Sequence, residues 1–108
     1  MTYLFGDVLL LTFPFSDASG SKRRPALTLL DTGDADVLVA LISSHPARDN
    51  YDISLRDWQA AGLLLPSVIR IHKVATLEKS LILRSLGQVS EYDQKRVSQG
   101  LNSLWSKL

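Results

Sequence analysis

The stretch Val37-Leu38-Val39-Ala40-Leu41-Ile42 narrows the possible folds most. It is an unbroken apolar run, rich in β-branched side chains and far below the roughly 20 residues that span a bilayer, so it reads as a buried strand. Residues 26–31 read the same way, and Thr32-Gly33-Asp34-Ala35 between the two is hairpin chemistry. Residues 8–15 form another strand, with Pro14 near its end, followed by a loop over residues 16–22. Further on, residues 51–55 alternate like a half-buried edge strand, and residues 56–62 resemble one helical turn ended by Gly62. On residues 67–72, Val68, Arg70 and His72 fall on one face, with Ile69 and Ile71 on the other. Residues 81–89 give a last strand with a glycine kink at Gly87. Ser90 then N-caps a helix whose stripe Val97, Leu101, Leu104, Trp105 and Leu108 packs on the sheet. The expected fold is mostly β (α+β): a small antiparallel β-barrel with a C-terminal helix, in a single domain over residues 1–108.

Composition removes several classes. An apolar share of 45% and a charged share of 21% are those of an ordinary folded domain. With no cysteine, disulfides and thiolate metal sites are excluded, and His45 and His72 stand at no ligand spacing, so neither a metal nor a cofactor is expected. The N-terminus shows no secretory leader, because Asp7 interrupts the first apolar run, and the expected location is the cytoplasm, with no membrane association. A net charge of +1 gives no global pull on nucleic acid. The acids Asp31, Asp34, Asp36, Asp49, Asp52 and Asp57 lie mid-chain between flanking cations, a pattern that permits folding to segregate an acidic from a basic face.

Ser21-Lys22-Arg23-Arg24-Pro25 concentrates positive charge at a loop mouth between two strands, which the pattern alone reads either as a solvated loop that keeps two strand ends soluble or as a place suited to phosphate. No nucleophile elbow, glycine-rich phosphate loop or glycosidase-like carboxylate pair accompanies it. What remains is a set of cations and hydroxyls at strand ends: Arg24, Ser43, Ser44, and Arg70 with His72. Metal-free RNA cleavage needs little more: a group that takes the ribose 2′-hydroxyl proton, another that protonates the leaving oxygen, and donors for the charge that builds on phosphorus.

Gly6-Asp7-Val8, Phe13-Pro14-Phe15, Arg23-Arg24-Pro25-Ala26, Ala40-Leu41-Ile42-Ser43, Pro66-Ser67-Val68-Ile69-Arg70 and Leu86-Gly87-Gln88-Val89-Ser90, in that order, resemble the MazF/PemK family of toxins across nearly the whole chain. The resemblance implies an SH3-like barrel and a homodimeric, sequence-selective endoribonuclease that cuts single-stranded RNA, inhibits growth and is blocked by a cognate antitoxin. It implies that Arg24 is the catalytic arginine and that Ser43 holds the position of the catalytic threonine or serine. Arg70 matches an arginine that acts as proton donor or phosphate ligand, and His72 stands where members have an aspartate proposed as base. Lys22, Arg23, Ser44 and Lys73 are the expected RNA contacts, and the antitoxin is expected to insert an acidic, initially disordered segment.

Competing readings attach to several of these residues. Arg70 has an alternative as an ion-pair partner of Asp52 or Asp57, His45 beside Pro46 reads as a loop residue, and Trp58 and Trp105 read as core. A non-catalytic module on the same fold, such as a topoisomerase inhibitor, is the competing function. It would concentrate its key residues at the end of the terminal helix, whereas residues 104–108 read as core packing. A third reading is an RNA-binding member that has lost cleavage through the change at His72.

Overall fold

In a computed structural model, which describes residues 2–13 and 22–108, those apolar runs become strands. β1 (Asp7–Phe13), β2 (Lys22–Leu30), β3 (Asp36–Ser43), β4 (Asp52–Ser54), β5 (Val68–Glu78) and β6 (Ile82–Gln88) precede helix α1 (Glu91–Trp105). They form one six-stranded sheet in the order β4-β5-β3-β2-β1-β6, antiparallel at every pairing. The chain is mostly β with a C-terminal helix, as its pattern predicts, but the sheet does not close, since its edge strands β4 and β6 share no ladder. Pro14, Phe15 and the loop expected over residues 16–21 lie outside the described residues.

Strand alternation builds two cores. On β1, Val8 joins Leu27, Ile42, Ile69 and Ile71 in one cluster, while Leu9, Leu11 and Phe13 join Val37, Val39 and Leu77 in the other. Helix α1 covers the first cluster with Val97, fully buried, and Leu101. Gly100 lets it sit close, because a Cβ there would lie 2.9 Å from Ile71 Cδ1 and 3.2 Å from Ile53 Cδ1. The helix packs mainly across β4 and β5 and outruns them. The expectation that its end is core is therefore corrected: Trp105 is 54% and Leu108 91% exposed. Trp58, by contrast, is half-buried against the first cluster, as expected.

Two further expectations change. The cations Lys22, Arg23 and Arg24 do not sit in a loop mouth but on β2, opposite Phe13, Thr12 and Leu11 of β1, because that strand starts four residues before its apolar part. And β5 does not end at His72. It runs to Glu78, with a bulge where Ala40 pairs with Val74 while the next residue, Leu41, pairs with Arg70. Ile71, His72 and Lys73 are the unpaired excess, and the bend they make interrupts the period-two pattern that the sequence shows.

Residues 56–62 do form a single turn ended by Gly62. The Gly62 N–H donates to Gln59 O at 3.0 Å and the Leu63 N–H to Trp58 O at 3.2 Å, the paired bonds of a Schellman stop. Gly62 has φ +87°, and a Cβ there would stand 2.1 Å from Leu86 O, so only glycine fits. This turn is clasped to α1. The buried Asp93 carboxylate accepts the backbone N–H groups of Arg56 (3.0 Å) and Asp57 (2.9 Å), and Ser90 Oγ, which caps the helix by accepting from Asp93 N–H, donates to Asp57 Oδ2 at 2.7 Å. The Arg56 guanidinium, and then the Ser90 hydroxyl, hold the Asp57 carboxyl below its ordinary range.

Several mid-chain acids take cations as partners: Asp31 pairs with Lys79 (2.8 Å), Asp52 with Arg70 (3.3 Å) and Asp57 with Arg56 (3.0 Å). Asp31 also accepts the backbone N–H groups of Tyr3 (2.7 Å) and Gly33 (2.8 Å), tying the N-terminal segment to the β2–β3 hairpin. Lys79 first, then those two N–H groups, lower its pKa from 3.8 to about 2. A carboxylate lowered in the folded state stabilises fully above its unfolded pKa and loses that contribution as pH falls through the folded one. Between about pH 4 and pH 2, Asp31→Asn is therefore expected to flatten the fall of the urea midpoint with pH. An unchanged slope would remove Asp31 from acid unfolding.

Candidate active site

The β2–β3 ladder stops at Ala26 opposite Leu41. The next residue of β2, Pro25, has no N–H to extend it, although one more step of the register would set Pro25 against Ile42 and the next would set Arg24 against Ser43. Where the strands part, a cleft of about 420 Å³ opens. Arg23, Arg24 and Pro25 line one side of it and residues 42–45 another, while the stretch after the Gly62 turn adds Leu63, Leu64 and Leu65. Leu10, Leu86 and Arg84 complete it, Arg84 arriving because β6 pairs it with Leu10, which on its other side pairs with Pro25.

Three guanidiniums thus share one cleft, and the side chains of Arg23, Arg24 and Arg84 have no hydrogen-bond or ion-pair partner among the described residues. No Asp or Glu is among the described residues that line it. A site of unneutralised guanidiniums, each a planar fork of N–H donors, matches phosphate oxygens.

Ser43 is held from behind. Its Oγ accepts the His45 backbone N–H at 3.1 Å and Arg70 Nη2 at 3.3 Å. A hydroxyl has two acceptor sites and one proton, so both lone pairs are committed and only the O–H remains to be given. Arg70 itself is only 6% exposed, and its Nη1 lies 3.3 Å from Asp52 Oδ2, which also accepts the Arg48 N–H at 2.9 Å. The expected alternative for Arg70 is thus realised: it pairs with Asp52 and reaches the cleft only through Ser43.

His72 and Lys73 do not line the cleft. His72 lies in the β5 bulge, and its ring is 5.4 Å from that of Tyr51, tilted by 47°. There Asp49, Asp52 and His72 bring donor atoms within 4.8 Å of one another, a grouping that sequence spacing does not reveal. Asp52 is already committed to Arg70 and to the Arg48 N–H, which leaves two ligands for any cation. Of the other expected contacts, Arg23 and Ser44 line the cleft, and Lys22 precedes them on β2. The sequence reading missed Arg84, which only strand pairing brings in. His45 is an exposed loop residue, as expected, and it also lines the cleft, its backbone N–H closing a turn on the Ser43 hydroxyl.

A family model described as a PemK-like, MazF-like toxin of type II toxin-antitoxin systems matches residues 5–105. The chain belongs to the PemK/MazF toxin family. No curated protein matches it by sequence. Among solved structures, an endoribonuclease in complex with its cognate antitoxin from mycobacterial species is similar at 16% identity and TM-score 0.78, covering 97% of this chain and 96% of that one. The Mycobacterium tuberculosis toxin MazF-mt6 is similar at 16% identity and TM-score 0.76 (93% and 96% covered). MazF of Deinococcus radiodurans stands at 20% identity and TM-score 0.75, with 98% of each chain covered. At such identities the likeness establishes the PemK/MazF fold. Among the described residues, no helix is long and apolar enough to cross a membrane.

Proposed function

We propose that this PemK/MazF toxin is a sequence-selective, metal-independent endoribonuclease that cleaves single-stranded RNA and so arrests growth. The observation that carries this reading is the convergence of the unpartnered Arg23, Arg24 and Arg84 on one cleft with a serine hydroxyl oriented to donate. In that reading the scissile phosphate sits between Arg24 and Ser43. The 2′-oxygen attacks phosphorus in line, the P–O5′ bond breaks, and the products carry a 2′,3′-cyclic phosphate and a 5′-hydroxyl. Arg24 and the Ser43 O–H hold the charge that grows on the non-bridging oxygens. Arg70 is a positioning residue that fixes and polarises Ser43, while Lys22, Arg23, Ser44 and Arg84 hold the flanking backbone. The leucines of residues 63–65 offer an apolar wall to a splayed base.

The partners of this reading are RNA, a second copy of the chain, and a cognate antitoxin, as in the mycobacterial endoribonuclease complex. An acidic, initially disordered antitoxin segment would satisfy the same guanidiniums. Light scattering at micromolar concentration that detects only a 12.0 kDa species would count against the homodimer.

A second reading draws on the exposed Trp105 and Leu108, which give the terminal helix an apolar end of the kind a binding toxin uses. The deciding experiment incubates the purified protein with a long unstructured RNA in chelator and maps cut sites and end chemistry. Recurrent cut sites with cyclic-phosphate and 5′-hydroxyl ends are expected, with Trp105→Ala cutting as well as the parent. An uncut RNA, with toxicity abolished by Trp105→Ala, would favour the interaction module.

A further inference from the structure

We infer that His45 is the proton acceptor of this cleft, the group that activates the ribose 2′-hydroxyl. The inference rests on the ribonuclease reading and adds to it the base that His72, outside the cleft, does not supply. Among the described residues lining the cleft, guanidiniums stay protonated at any working pH and no carboxylate is present. Ser43 has both lone pairs engaged, and Ser67 Oγ is turned away to donate to Leu65 O at 2.8 Å. Among them His45 alone carries a nitrogen that, in the neutral imidazole, can accept a proton. It is exposed, and its backbone N–H bond to Ser43 Oγ fixes it one tight turn from the hydroxyl assigned to the phosphate.

The step balances within the cleft. The 2′-O–H bond breaks and its proton passes to the neutral imidazole as the 2′-O–P bond forms and P–O5′ breaks. The departing 5′-oxygen takes a proton from water, and the imidazolium returns one, so no water is consumed. The charged groups facing the site are Arg23 and Arg24 from β2 and Arg84 from β6, while the segment of residues 62–67 adds none.

The test is single-turnover cleavage of a single-stranded RNA oligonucleotide between pH 5 and pH 9, for the parent protein, His45→Ala, His45→Gln and His72→Ala. Anisotropy with the same oligonucleotide carrying a 2′-deoxy sugar at the cut site reports binding. The parent rate is expected to fall on the acid side, in the range where imidazole titrates. Both His45 variants are expected to lose about 100-fold or more in rate, and the acid limb with it, while binding the deoxy oligonucleotide within about twofold of the parent. His72→Ala is expected to keep both rate and limb. A His45 variant with unchanged rate and limb overturns the assignment, as does loss of the limb in His72→Ala. Binding that falls in parallel with rate also overturns it, by making His45 a phosphate contact. If the parent cuts no RNA at any pH, the ribonuclease reading fails as well, an outcome distinct from the others.

Discussion

Arg24→Ala is expected to abolish growth inhibition and to slow RNA cleavage by about 100- to 1,000-fold, the usual loss when one preorganised donor to a developing oxyanion is removed. Stability should hardly move. Arg24 is exposed and has no ion-pair or hydrogen-bond partner among the described residues, so its loss strands no charge. Surface positions of that kind shift stability by about 0.5 kcal/mol or less. Arg24→Lys should recover little, because an ammonium cannot place two parallel N–H groups on two phosphate oxygens. Single-turnover rates paired with urea unfolding separate these effects. Parent-like cleavage by the alanine variant would take Arg24 out of the mechanism.

Asp52→Ala is expected to act in the opposite way, through the fold. Arg70 is 6% exposed and Asp52 is its ion-pair partner, so deleting the carboxylate leaves a buried guanidinium without compensation. Breaking a buried pair from one side typically costs about 3–5 kcal/mol, a large share of the roughly 5–15 kcal/mol that holds a domain together. Replacing both partners, as Asp52→Ala with Arg70→Met, should restore most of that stability, because neither buried charge remains. It should not restore rate, because Ser43 then lacks the cation that donates to its oxygen at 3.3 Å. Urea unfolding of the singles and the double gives the coupling energy directly, and a single variant as stable as the parent would show that Arg70 rehydrates freely.

Much of this was legible in the chain. Local signals were sufficient for the hairpin at Gly33, the stop at Gly62 and the cap at Ser90, because each depends on residues a few positions apart. The resemblance put Arg24 and Ser43 together, and the register at the end of the β2–β3 ladder agrees. The failures share a cause, which is that strand pairing is non-local. Alternation put Arg70 and His72 on one face, but the three-residue bulge against β3 cancels that inference. Arg84 joins the cleft through two successive ladders, which no window of sequence displays. The stripe on α1 was read as if the sheet were as long as the helix, and Trp105 is where it is not.

The clasp between Asp93 and the turn at residues 56 and 57 bears on when the cleft becomes complete during folding. Arg24 and Ser43 belong to one hairpin and meet by a short loop, an event of microseconds once both strands are available. The leucine wall of the cleft, however, is set by a turn whose backbone N–H groups are satisfied by a residue of the terminal helix. During synthesis the chain emerges N-terminal end first, so Arg24 and Ser43 are available well before the element that fixes the leucine side of the cleft. Completion of the cleft is thereby deferred until Asp93 of the terminal helix is available to clasp the turn.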